Sequence, residues 1–211
     1  MHIVTISATY GAGGAFVGPA VAERLGVAFV DRAIPVAVAN DLGIPVDDAL
    51  SRDERVRGWL SRMLAATAPL SVDYMVDPIH DRTVLLSDAD VLRCTEGAIR
   101  KAVCTDGGVI LGRAAAIVLG EHPGAFHVRL DGDPQRRVRQ AMTLAGISEH
   151  AAHNAMVRND KARSAYVRHY YDADAASPRH YHLVLDSTRV PLDACTEIIV
   201  AAAQGCAGRR A

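Results

Sequence analysis

The hydrophobic residues of the chain fall into short apolar runs separated by longer amphipathic stretches. The first run, Ile3 to Ile6, leads directly into a glycine-rich turn. Four more runs have the length and composition of buried strands, and each precedes a polar or glycine-containing turn. They are Val27–Val30, Val109–Leu111, Phe126–Leu130 and Tyr181–Leu185. The pattern therefore predicts five buried parallel strands.

Helical spacing of apolar positions occupies most of the chain between these runs. It predicts helices at about 15–25, 33–42, 52–68, 88–105, 113–120, 133–145, 149–170 and 191–204. The pair Asp133-Pro134 is typical of a helix start, with an N-cap carboxylate and a proline at the first helical position. Alternating strands and helices predict an α/β fold, with a parallel sheet covered by helices on both faces.

The length of 211 residues, half of them hydrophobic, suits a single domain, which we expect over 1–205. We expect a helical insert at about 43–87 and a frayed tail at 206–211. The formal net charge of −1 gives no general attraction to nucleic acid or to an anionic membrane. Neither a signal-peptide pattern nor a membrane-spanning apolar run is present, so we expect a cytoplasmic protein.

Metal binding through cysteine or histidine is not expected. The four cysteines contain no C-x-x-C pair, which favours buried or unused thiols. His150 with His153, and His180 with His182, could share faces of their elements, but no carboxylate or cysteine completes a set of ligands.

The glycine turn between the first strand and the first helix is the main candidate site. Backbone N–H groups at a helix start bind anions, and glycines let a phosphate approach closely. The candidate residues are Tyr10, Gly11, Ala12, Gly13, Gly14 and Ala15. Compared with a Walker A loop, Gly13 occupies the second glycine position, while Gly14 and Ala15 replace the lysine and the hydroxyl residue. The site must therefore find positive charge elsewhere or be a poor catalyst.

Residues that follow the other strands are further candidates, because ligands of such sheets bind beyond the carboxyl ends of the strands. They are Asp31-Arg32, Gly112-Arg113 and Asp186-Ser187-Thr188. An ordinary turn explains the last of these equally well.

The densest supply of cations is the helix predicted at about 149–170. Arg158, Lys161, Arg163 and Arg168 accompany one acid, Asp160, in this segment. A solvated surface face is the plain interpretation. The alternative is that these side chains replace the missing lysine, since one charge-assisted hydrogen bond contributes about 1.5 to 3 kcal/mol.

Four motifs together resemble the cytidylate kinase-like family of nucleoside monophosphate kinases. They are Ile6-Ser7-x-x-Tyr10-Gly11-x-Gly13-Gly14, Phe29-Val30-Asp31-Arg32, Val109-Ile110-Leu111-Gly112-Arg113, and Asp160-Lys161-x-Arg163 with Leu185-Asp186-Ser187-Thr188. The resemblance implies a P-loop kinase-like three-layer sandwich with a five-stranded parallel sheet and a lid at about 150–175. It also implies a small nucleotide as partner, with ATP and Mg²⁺.

The resemblance further implies roles for individual residues. Gly11 to Gly14 would hold the donor phosphates, and Arg113 and Arg158 would bind the acceptor phosphate. Lys161 and Arg163 would belong to the lid, and Asp31, next to Arg32, would begin the acceptor pocket. Ala114 and Ala162 stand where cytidylate kinases carry aspartates near the nucleoside, so the base specificity is open.

Three functions remain open at this point. The first is phosphoryl transfer from ATP to a nucleoside monophosphate or a related acceptor, and the second is a nucleotide sensor without turnover. The third is a dinucleotide-binding enzyme, because Asp31 lies 18 residues beyond Gly13 and could bind a ribose. That fingerprint requires a glycine where this chain has Phe16. The oligomeric state is open as well.

Overall fold

The computed structural model describes residues 2–30, 96–97, 99–100, 107–112, 114–120 and 122–208. These residues belong to one compact unit formed by 1–34 and 92–211. The elements, in chain order, are β1 Ile3–Ala8, α1 Gly14–Leu25, β2 Phe29–Val30, β3 Gly108–Leu111, α2 Ala115–Leu119, β4 Ala125–Asp131, α3 Pro134–Ala145, α4 Glu149–Tyr171, the short 3₁₀ helix Pro178–His180, β5 Leu183–Asp186 and α5 Leu192–Gly208. None of the helices in these described ranges is long and apolar enough to cross a membrane.

The five strands form one sheet in the order β2-β3-β1-β4-β5. Every neighbouring pair is parallel, so all carboxyl ends lie at the same edge. The strand β1 is central, and the glycine turn that follows it therefore lies in the middle of that edge. The predicted α/β fold with a five-stranded parallel sheet is confirmed.

Alternate residues of the strands enter two different apolar clusters, one on each face of the sheet. On one face, Val4, Ile6, Val128 and Leu130 pack with residues of α1 and α5. On the other face, Ile3, Ile110 and Ala125 pack with Ile99 and with Ala115 and Leu119 of α2. This arrangement gives the three layers that the alternating pattern predicts.

The strand boundaries differ from the predicted ones for local reasons. The strand β2 begins at Phe29 rather than Val27, because Gly26 ends α1 in a left-handed conformation and the N–H of Val27 still bonds to the carbonyl of Ala22. The strand β5 begins at Leu183 rather than Tyr181, because the N–H of Tyr181 closes the 3₁₀ turn on Pro178.

The helix α5 continues to Gly208 and so includes the first residues of the segment that we predict as a tail. The predicted helices at about 33–42 and 52–68 lie outside the described residues, as does the insert at about 43–87.

A buried histidine occupies the interior of β4. The ring of His127 bridges Thr5 Oγ1 and the carbonyl of Gly120, both at 2.7 Å. A carbonyl only accepts, so Nε2 carries the proton and Nδ1 accepts from the threonine hydroxyl. His182 stacks on this ring, and its Nδ1 accepts a hydrogen bond from the backbone N–H of His127 at 3.0 Å. Burial lowers the pKa of His127 despite the Gly120 bond, and the nearby His182 and His122 lower it further.

This lowered pKa predicts a loss of stability in mild acid. The unfolded chain takes up the proton near pH 6.5, whereas the folded state resists it, so the free energy of unfolding falls as the pH drops below that value. Thermal unfolding at about pH 7.5 and about pH 5.5 measures the effect. We expect a smaller drop in Tm for His127→Gln than for the wild type. His153→Gln, which changes an exposed histidine of α4, should keep the wild-type drop, and equal drops in all three proteins would contradict the assignment.

Candidate phosphate-binding site

The glycine loop between β1 and α1 has a backbone that only glycine adopts easily. Gly11 and Gly13 have φ of 79° and 74°, in the left-handed region. A Cβ on Gly11 would collide with the backbone carbonyl of Arg137, and one on Gly13 would lie 2.5 Å from a methyl group of Leu192. The two glycines are therefore required by conformation and by the close approach of α3 and α5.

Three successive carbonyl groups of this loop are bound by side chains from elsewhere in the fold. Arg137 Nη1 donates to the carbonyl of Tyr10 at 3.1 Å, and Gln140 Nε2 donates to that of Gly11 at 3.0 Å. The hydroxyl of Ser187, which is buried, donates to the carbonyl of Ala12 at 2.8 Å. Residues of α3 and of the turn after β5 thus fix the orientation of the loop peptides.

This orientation has a direct consequence for the N–H groups. In a trans peptide the N–H points opposite to the preceding carbonyl, so the N–H groups of Gly11 and Gly13 point away from Arg137 and Ser187. Within the described part of the chain, no hydrogen bond uses the N–H groups of Gly11, Gly13, Gly14 or Ala15. The last two open α1, where the helix dipole adds partial positive charge. The loop therefore presents a set of donors suited to an anion.

The position of the Walker lysine is closed by packing. A Cβ on Gly14 would lie 2.5 Å from the Cβ of Ala8 and 3.1 Å from a methyl group of Leu111. Ala8 itself stands where the first Walker glycine belongs. The larger residue at position 8 leaves space only for glycine at position 14, so the lysine is excluded by the fold of the loop.

The basic helix α4 contacts the loop through its acid. Asp160 Oδ1 accepts the N–H of Tyr10 at 3.0 Å, and Oδ2 accepts from Arg137 Nη1 at 2.6 Å. Arg163, one turn further along, has its Nη1 3.7 Å from Asp160 Oδ1. The predicted lid residue Arg163 therefore lies beside the acid that binds the glycine loop.

The other cations of α4 lie elsewhere on its surface. Arg158 and Lys161 are exposed. Lys161 and Arg168 line a cavity of about 350 Å³ together with Ser164, Ala165, Ala173 and Asp174. The sequence spacing predicts that Arg158, Lys161 and Arg168 lie near one helix face. Lys161 and Arg168 line the same cavity, and Arg158 is not among its lining residues.

A second carboxylate supports the loop from β4. Asp131 accepts hydrogen bonds from Thr9 Oγ1 at 3.0 Å and from Arg129 Nη2 at 2.7 Å. Burial alone would raise the pKa of Asp131, but the bonds from Arg129, the N–H of Gly132 and Thr9 hold it below its ordinary value. Asp131 therefore stays charged, paired with Arg129, and fixes the start of the loop at Thr9.

The structure adds residues to the site that the sequence does not indicate: Arg129, Asp131, Arg137 and Gln140. No motif distinguishes Arg137 from the other arginines of α3. Tyr10, predicted as a ligand-binding residue, has its side chain against the apolar cluster of α3 and α4. The predicted acceptor residues Asp31, Arg32 and Arg113 lie outside the described residues.

A dinucleotide site fits this sheet poorly. In the order 3-2-1-4-5-6 of dinucleotide-binding domains, the second strand lies beside the first, and its acidic end reaches the ribose. Here β3 lies between β1 and β2. The strand that leads to Asp31 is therefore one strand farther from the glycine loop than that chemistry requires.

A central parallel strand that enters a glycine loop and then a helix, within this strand order, defines a P-loop kinase-like α/β protein. The chain belongs to the cytidylate kinase-like family, whose model matches residues 3–189. The resemblance seen in the sequence motifs is thus confirmed.

Three known proteins show similarity to this chain. An uncharacterized protein from Eubacterium ventriosum is similar with a TM-score of 0.65 and 20% identity, over 97% of this chain and 99% of that one. A gluconokinase from Sinorhizobium meliloti is similar with a TM-score of 0.48 and 16% identity, over 100% and 93% of the two chains. Among curated proteins, a uronate isomerase from Corynebacterium glutamicum is 29% identical over 96 residues. That match covers 46% of this chain, which spans only 18% of the isomerase.

The buried hydroxyl of Ser187 provides a test of how the loop is held. Ser187→Ala leaves the carbonyl of Ala12 without this donor, and we expect a loss of about 1 to 3 kcal/mol in the free energy of unfolding. Urea denaturation measures this loss. Ser164→Ala, at an exposed position of α4, is the control and should change stability by less than about 0.5 kcal/mol. A Ser187→Ala protein as stable as this control would show that the bond does not support the loop.

Proposed function

We propose that this protein transfers a phosphoryl group from a nucleoside triphosphate to a nucleoside monophosphate or a related small acceptor. The observation that supports this most is the glycine loop, in which side chains bind three successive carbonyls and leave N–H groups directed outward. Such donors suit the oxygens of a polyphosphate, which approach closely because Gly11 and Gly13 lack side chains.

In this proposal the charge that a Walker lysine normally supplies comes from α4. Arg163 lies beside Asp160, which binds the loop. Arg158 and Lys161 project from other faces of the same helix and would reach the phosphates when the lid closes. Arginines that close over a transferring phosphoryl group contribute about 10³ to 10⁵ in rate. A cation from a lid can therefore offset the missing lysine.

The acceptor would bind beyond the carboxyl ends of β2 and β3, which lie on one side of the loop strand. Asp31 and Arg32 directly follow β2, and Arg113 follows Gly112 at the end of β3. The planar guanidinium group of an arginine matches two oxygens of a phosphate at once. We assign Arg113 and Arg158 to the acceptor phosphate, and Asp31 and Arg32 to the acceptor pocket.

The described residues do not offer magnesium a side-chain site at the usual place. Ala15 stands where a hydroxyl would bind the ion, and the carboxylates beside the loop, Asp131 and Asp160, are paired with arginines. In this proposal the phosphates of ATP, and not side chains of the protein, bind the magnesium ion.

A nucleotide sensor without turnover is the second candidate. The packing of Gly14 against Ala8 and Leu111 favours it, because this packing excludes the lysine that catalysts with a Walker A loop use.

One set of measurements separates these candidates. The protein is incubated with ATP, Mg²⁺ and a panel of nucleoside monophosphates, and ADP release above the acceptor-free rate is followed with chromatography of the phosphorylated acceptor. Acceptor-dependent ADP supports the transferase. If no monophosphate of the panel increases ADP release, the transferase is rejected. Calorimetry with ATP then distinguishes a sensor, which binds saturably, from a protein that binds no nucleotide.

The proposed role of Lys161 gives a further prediction. A cation that acts on the transferring group contributes mainly in the transition state, so Lys161→Ala should lower kcat about 10- to 100-fold and change the acceptor KM much less. Steady-state kinetics with a responsive monophosphate measure both. Arg24→Ala removes a cation from the last turn of α1, where Arg24 pairs with Glu197 on the surface, and should retain wild-type constants. Indistinguishable kinetics of the two variants would remove Lys161 from the mechanism.

A further inference from the structure

Asp160 occupies an unusual place for an aspartate. It lies in the interior of the 23-residue helix α4, where aspartate is less favourable than most residues because its side chain competes for backbone groups. Its side chain is only 27% exposed. Position and burial both point to a tertiary role.

The contacts of Asp160 reach the loop in two ways. Its Oδ1 accepts the N–H of Tyr10 directly at 3.0 Å. Its Oδ2 accepts from Arg137, and the same Nη1 of Arg137 also donates to the carbonyl of Tyr10 at 3.1 Å. Both backbone polar groups of Tyr10 are therefore held by one carboxylate–guanidinium pair.

Arg137 is also bound to the turn between β4 and α3. Its Nε donates to the carbonyl of Gly132 at 3.1 Å, and its side chain is 9% exposed. Arg137 therefore connects α3 to the glycine loop and to Asp160 through hydrogen bonds. The side chain of Tyr10 packs on the apolar cluster of α3 and α4, so Tyr10 is held through both its backbone and its side chain.

We infer that Asp160 is a positioning residue whose hydrogen bonds connect the basic helix α4 to the glycine loop, and that phosphoryl transfer depends on this connection. The inference rests on the proposed transferase function. Without the carboxylate, the N–H of Tyr10 and the guanidinium of Arg137 lose their common partner, and Arg163 loses its ion pair with Asp160. A displacement of about 1 Å in a positioned cation is enough to cost about 10²-fold in rate.

The first measurement tests the connection between Asp160 and Tyr10 without reference to activity. Hydrogen–deuterium exchange of the Tyr10 amide in nucleotide-free protein should be at least about tenfold faster in Asp160→Ala than in the wild type. Asn159→Ala is the matched control, because Asn159 is exposed and its side chain bonds within the helix to Ala155. An exchange rate in Asp160→Ala equal to that of the wild type would show that Asp160 does not hold the Tyr10 amide.

The second measurement tests its consequence for transfer. Asp160→Ala should lower kcat by about 10- to 100-fold, while Asn159→Ala stays at the wild-type value. Asp160→Asn keeps an acceptor for the Tyr10 N–H but removes the charge that pairs with Arg137 and Arg163, so its kcat should fall between the two. This variant also keeps the test decisive if Asp160→Ala fails to fold.

The outcomes separate the inference from the function on which it rests. A wild-type protein that transfers no phosphoryl group rejects the proposed function. An active wild type whose folded Asp160 variants have unchanged kcat and KM leaves the function intact and overturns the positioning role. A loss of stability alone, with wild-type constants, also counts against it.

Discussion

The orientation of the peptides in the glycine loop is the constraint on which the site depends. A glycine-rich turn can adopt many conformations, and only some of them direct consecutive N–H groups to one side. In this protein Arg137, Gln140 and Ser187 bind the carbonyls of Tyr10, Gly11 and Ala12 and so determine the direction of the opposite N–H groups. The donors of the loop are thus oriented by side chains more than 120 residues away in sequence.

The loss of the lysine and the packing of the loop are parts of one arrangement. Ala8 fills the space beside Gly14, and a side chain at position 14 would meet both Ala8 and Leu111. Arg137 of α3 contacts the loop, and Asp160 of α4 pairs with both Arg137 and Arg163. The carboxylate lowers the net charge at the loop, but it fixes where the guanidinium group of Arg137 lies. The proposed phosphate binding depends on that placement as well as on charge.

Sequence patterns predicted the sheet well because buried parallel strands and their turns leave strong local signals. The runs around Val109 and Phe126 became β3 and β4 nearly as predicted. The pattern did not show that β4 has a polar face with His127 and Arg129 buried in it. Those residues are stable there because Thr5, Gly120, Asp131 and the carbonyl of Ala175 satisfy their polar groups. Two of these partners, Thr5 and Ala175, are distant in sequence.

The sequence by itself determined the strand, glycine loop and helix at the amino-terminal end, the parallel α/β class and the presence of a basic helix. Each of these depends on residue types at short spacing, which a single chain displays directly. Only the tertiary structure decided that Ser187 supports the loop and that Arg137 and Asp160 hold Tyr10. These facts depend on which distant elements the fold brings together, and hydrophobic periodicity carries no information about the partners of individual polar groups.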